Sequence, residues 1–66
     1  MHIHVNGEAR ELPDDTTVAG VLAALEVPER GVAVAVDGVV VRRAEWPAAV
    51  VGDGAHVEIL TAVQGG

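Results

Sequence analysis

Met1, Ile3 and Val5 alternate with His2, His4 and Asn6, the period of a strand with one apolar face. Asn6-Gly7 follows, the two-residue pair most favoured in hairpin turns. The return strand is expected from Glu8 to Leu12, although Ala9 and Leu12 fit a period of two poorly. Pro13-Asp14-Asp15-Thr16-Thr17 then reads as a helix start: a threonine hydroxyl accepts a bond from an orphan backbone N–H, and acidic residues suit the positive end of the helix dipole. Val18, Val21, Leu22 and Leu25 fall on one helical stripe. The helix is expected to run to about Val27, because Pro28 disfavours helical geometry in the residue before it. Gly20 costs this helix about 1 kcal/mol relative to alanine, so its stability must come from packing.

Val32 to Val36 is an apolar run of strand length, and Asp37-Gly38 turns it into Val39 to Arg42. Arg43 to Val51 has no clear period and holds the only aromatic residue, Trp46, before Pro47; a short helical turn or ordered loop closing one end of the core is expected, with Trp46 as its plug. Gly52-Asp53-Gly54 is the next turn. Alternation resumes from Ala55 to Val63, placing Val57, Ile59 and Thr61 on one face and His56, Glu58 and Leu60 on the other. The order is hairpin, helix, hairpin, connector, strand. One helix covers only one face of a sheet, so the pattern predicts an α+β roll: a four- to five-stranded sheet with one helix packed on one face and the opposite face open to partners. The domain spans residues 1–63, and residues 64–66 form a flexible tail.

The chain has 66 residues, half of them apolar, so it supports one small domain with a modest core. Its apolar runs are too short to span a bilayer, and the alternating start does not resemble a signal peptide; a cytoplasmic protein without membrane attachment is expected. Ten acidic residues against four arginines give a formal charge of −6, which disfavours nucleic acid and suits a protein partner with a basic docking surface. The sequence contains no Cys, Ser, Lys or Tyr. Thiol and serine nucleophiles, cysteine zinc sites, a phosphopantetheinyl serine, Schiff bases and lysine-linked cofactors are thereby excluded within it. No bound cofactor and no metal site are expected. His2, His4, His56 and Glu58 share the open face if the first and last strands are neighbours, but histidines on a solvated strand face are ordinary and no second-shell pattern accompanies them.

The sequence ends Val63-Gln64-Gly65-Gly66. A tail without Cβ atoms can thread a narrow enzyme cleft and present its carboxylate to another protein's catalytic groups. Combined with the roll, this end is far more specific than two glycines alone. Asn6-Gly7, Thr17-Val18 opening a leucine-containing helix, Val34-Ala35-Val36-Asp37-Gly38, Arg43, Glu45-Trp46, Val57-Glu58-Ile59 and Val63-Gln64-Gly65-Gly66 together resemble the sulfur carrier proteins of thiamin biosynthesis, of the ubiquitin-like β-grasp superfamily. The resemblance covers essentially the whole chain. Arg42, Ala44 and Ala55 depart from the Pro, Ser and Asp common in that family, and none lies in the tail.

The resemblance implies a protein cosubstrate rather than an enzyme. An adenylyltransferase of the ubiquitin-activating type would use ATP to adenylate the Gly66 carboxylate, which as an ionised carboxylate is a poor electrophile. Sulfur from a cysteine desulfurase or another persulfide donor would displace AMP, leaving a C-terminal thioglycine thiocarboxylate, and thiazole synthase would receive the sulfur. Gln64 and Gly65 would thread the partner active sites, and Leu60, Ala62 and Val63 would form part of a docking surface. The carrier is expected to be a monomer on its own. With no lysine in the sequence, the activated terminus has no side-chain amine of its own chain to acylate, only that of Met1. Carriers for molybdopterin, cysteine synthesis or tRNA thiolation share the roll and the tail chemistry, and a ubiquitin-like binding module with an idle tail is the alternative from a different class.

Overall fold

In a computed structural model of the chain, residues 1–61 are described. Five strands and one helix follow in order: β1 (His2–Val5), β2 (Glu8–Glu11), α1 (Val18–Ala24), β3 (Val32–Val36), β4 (Val39–Val41), a 3-10 turn (Arg43–Glu45) and β5 (His56–Thr61). They form one mixed sheet in the order β2-β1-β5-β3-β4. β1 and β5 run parallel at its centre, and the other pairings are antiparallel. This is the ubiquitin-like β-grasp roll with five strands.

Both hairpins turn on two residues in the left-handed region, Asn6 and Gly7 (φ 51° and 85°) and Asp37 and Gly38 (φ 51° and 83°). That is the type I′ geometry whose twist matches the flanking strands. The register explains the poor alternation of β2: Ala9 pairs with His4 and Arg10 with Ile3, so Ala9 faces the open side and all four β2 residues are exposed. The core lies between sheet and helix. Ile3, Val5, Val34, Val57 and Ile59 from the sheet meet Val18, Val21 and Leu22 from the helix, closed by Trp46, Val51 and Ala55.

The helix is shorter than its periodicity predicts, ending at Ala24 with Leu25 as C-cap rather than near Val27. The stop precedes Pro28 because Glu26 adopts φ 58°. Its N–H donates to Ala23 O (3.1 Å), and that of Val27 donates to Leu22 O (2.9 Å). This bond pair defines a Schellman cap, with Glu where glycine is usual. At the other end Thr17 is the N-cap, its Oγ1 accepting from the Gly20 N–H (3.1 Å). Gly20 has a packing reason: a Cβ there would meet Thr16 Cγ2 at 2.9 Å. The connector grips this end of the helix, since Val18 N–H donates to Ala49 O, Ala19 N–H to Trp46 O and Val51 N–H to Thr16 O. Seven residues are too few for a helix to persist alone, so these bonds and the buried stripe hold it.

Trp46 is buried, 2% exposed, and its indole Nε1–H donates to Val41 O at 2.8 Å. It is the plug expected from sequence, and the 3-10 turn delivers it. β2 and β4 each end one residue before their expected limits, at Glu11 and Val41.

Candidate functional site

The site is assembled around β5, the last strand among the described residues. Three side chains from distant turns hold that strand's environment. Asn6 Oδ1 accepts from Ile59 N–H (2.9 Å) while its Nδ2 donates to Ile59 O (3.2 Å). The amide thus substitutes for one more residue of the parallel ladder after β1 turns away. Asp37 Oδ1 accepts from His56 N–H (2.9 Å), and Asp53 Oδ1 accepts from His2 N–H (2.7 Å). Asn6 and Asp37 are therefore more than turn formers: each also bonds β5 along its length. Nothing in their local sequence distinguishes that role, because the bonds span 53 and 19 residues.

On the open face, the register sets Leu60 beside Ala33, Glu58 beside Ala35, and Ala35 beside Val40. Leu60 is 65% exposed, as the alternation predicts. It borders a shallow hollow of about 320 Å³ lined by Gly31, Val32, Ala33, Leu60 and Thr61. Sequence reading named Leu60 but missed Ala33, Ala35 and Val40, which reach the same face only through the pairing of β3 with β5 and β4. Thr61 keeps the inward parity predicted for it, paired with Val32, yet is exposed at the sheet end. Ala62, Val63, Gln64, Gly65 and Gly66, and with them the boundary at residue 63, lie outside the described residues.

The opposite end of this face is polar. His4 and His56 are direct register partners and their rings stack at 4.8 Å, inclined by 9°. With Asn6, Gly7, Asp37, Gly38 and Glu58 they line a concavity of about 510 Å³. His4 Nδ1 is buried without a hydrogen-bond partner among the described residues. Stacked rings hold their in-plane lone pairs in parallel layers, and no three His, Asp or Glu side chains among the described residues converge as a metal set. No described helix is long and apolar enough to cross a membrane.

The Met1 amine donates to Leu12 O (2.7 Å) and pairs with Asp14 (3.2 Å). The one amine in the sequence is thus engaged in the folded domain.

A model of the ThiS family matches residues 3–66, nearly the whole chain and its Gly65-Gly66 end. The chain belongs to the ThiS family. Its members are small sulfur carrier proteins of thiamin biosynthesis, not catalysts. The crystal structure of the thiamine biosynthesis protein ThiS from Geobacter metallireducens is 33% identical, with full coverage of both chains and a TM-score of 0.85. A solution structure of a thiamine biosynthesis protein from the same organism is likewise 33% identical, covering all of this chain and 88% of that one, with a TM-score of 0.78. No curated protein matches the chain.

Proposed function

We propose that this protein carries sulfur for thiazole formation on the carboxylate of Gly66. The observation that supports the reading best is the reach of the family match, which runs through residue 66 and so includes the chemically competent end. The terminal carboxylate attacks the α-phosphorus of ATP in the active site of an adenylyltransferase, releasing pyrophosphate and forming an acyl-adenylate. The outer sulfur of a persulfide donor then displaces AMP, one carboxylate oxygen leaving on the phosphate, to give an acyl disulfide. A second thiol attacks the donor's inner sulfur and breaks the S–S bond, so that the donor ends as a disulfide and the carrier as a thiocarboxylate. Thiazole synthase accepts the sulfur. Gly65 and Gln64 supply the narrow segment that enters each partner's cleft. Leu60 with Ala33 and Ala35 offers the partners an apolar docking surface on the open face, to which Ala62 and Val63 would add in the complex. The formal charge of −6 favours encounter with basic partner surfaces.

Intact-protein mass spectrometry tests the reading directly. The chain is incubated with a thiamin-pathway adenylyltransferase, ATP and a cysteine-derived sulfur source, beside a chain lacking Gly66. Replacement of one oxygen by sulfur in the full chain alone is the expected result. No adenylate and no thiocarboxylate, with partners that modify another carrier, would overturn it in favour of a ubiquitin-like binding module. Transfer from the thiocarboxylate to molybdopterin, cysteine or tRNA enzymes but not to thiazole synthase would reassign the acceptor.

A further inference from the structure

The two edges of the sheet differ in kind. β2 carries charge at Glu8, Arg10 and Glu11, a common way for an exposed edge to resist pairing. β4 is Val39-Val40-Val41, without a charge. Val40 and Val39 are the two most exposed large apolar side chains among the described residues, at 70% and 67%. The tight turn at Asp37-Gly38 makes Val36 and Val39 the hydrogen-bonded pair that closes the hairpin. Bonding alternates along an antiparallel pair, so Val41 bonds inward to Val34 while the N–H and C=O of Val40 point away from the sheet. No turn, loop or cap bond among the described residues uses them.

We propose that β4 is a self-pairing edge, joining two copies of this chain antiparallel about a two-fold axis at Val40. An isologous contact requires the patch to complement itself, and this one does. With Val40 opposite Val40, Val39 falls opposite Val41. The ladder ends there, because Asp37-Gly38 is a left-handed turn and Arg43 opens the 3-10 turn, and Arg42 and Arg43 follow β4 on the side where the other copy's Asp37-Gly38 turn precedes its own. Each end of the pairing thus sets a basic residue beside an acidic turn, twice over by symmetry. Arg42 is extended (φ −69°, ψ 146°), which continues the strand toward that contact. Arg42, Arg43 and Asp37 are exposed, and neither arginine has an ion pair among the described residues. The two Val40 residues exchange two backbone bonds, their side chains meet on the open face, and the five-stranded sheets join into one of ten strands. The contact is small, so the dimer is weak, with Kd on the order of 1 mM. Its existence is independent of the sulfur-carrier reading.

The test is amide hydrogen exchange by NMR on the full chain over a concentration series, with sedimentation velocity alongside. At a chain concentration of about three times Kd, one third of the chains remain monomeric, so Val40 exchange slows about threefold; Val39 and Val41 are protected throughout. Val40→Lys places two ammonium groups across the axis and abolishes the effect. Val40→Thr, which keeps the backbone bonds and strand preference, retains it, and added salt or Arg43→Glu weakens it. Val40 exchange that ignores concentration would overturn the proposal. So would association that survives Val40→Lys but is lost in Leu60→Asp, which would place the contact on the open face, or growth beyond a dimer, which would show a head-to-tail edge contact.

Discussion

The two faces of the sheet make opposite use of the same alternation. Toward α1, β1, β3 and β5 present Ile3, Val5, Val34, Val57 and Ile59, all buried. Away from it the same strands present His4, Ala33, Ala35, His56, Glu58 and Leu60, among them an apolar cluster with no part in the core. A helix of seven residues can cover only one side. The covered face is specified by packing and fixes stability. The open face is released from that constraint, and its composition is then informative: a polar end at the paired histidines and an apolar end at Leu60. Stability thereby rests on one set of alternate residues, and the proposed docking surface on the other set of the same strands.

This separation can be broken by substitution. Trp46→Ala should have the largest effect, costing about 3–5 kcal/mol, because it removes a buried indole together with its bond to Val41 O. That is a large share of a small domain's stability, and urea denaturation followed by circular dichroism would show it. Sulfur loading per folded molecule should be unchanged; a specific loss of loading would mean that the buried face takes part in recognition.

Asn6→Ala lies between the two regions. It deletes both side-chain bonds to Ile59 and puts alanine at φ 51°, which together should cost about 2–3 kcal/mol. Faster amide exchange at Ile59 should accompany the lower denaturation midpoint. Stability lost without any change at Ile59 would assign the whole effect to the turn.

Leu60→Asp should invert the pattern of Trp46→Ala. Stability should move by no more than about 0.5 kcal/mol, whereas kcat/KM of the adenylyltransferase for the carrier should fall about tenfold, equivalent to roughly 1.4 kcal/mol. Unchanged kcat/KM would remove Leu60 from the docking surface. The smallest effect is expected at Glu26→Gly, which relieves a non-glycine residue held at φ 58° and should stabilise the domain by about 1 kcal/mol. A thermal melt would detect the rise, with loading unaltered.

Much of the roll was legible from local pattern because its elements are encoded locally. Asn6-Gly7 and Asp37-Gly38 name their turn type through the need for positive φ at both positions. The stripe of Val18, Val21 and Leu22 names the buried side of the helix. The helix end was misjudged because Pro28 is a visible stop signal while Glu26 in a glycine position is not; its left-handed geometry is tolerated because Val27 packs against the core and the cap bonds are satisfied. For the candidate site, Leu60 could be found from alternation alone. Ala33, Ala35 and Val40 could not, since their relation to Leu60 is a matter of register between strands distant in sequence.

By itself, then, the sequence determined the order of elements, both hairpin turns, the buried stripes and the chemical character of the chain end, each through residue types whose preferences act within a few positions. Tertiary structure decided the rest. It placed β5 parallel between β1 and β3, turned Asn6 and Asp37 into bonds on β5, stacked His4 on His56, and left an uncharged β4 as an edge. These are pairings between segments far apart along the chain, where local preference has no reach, and they are selected by which arrangement buries the apolar faces and satisfies the backbone together.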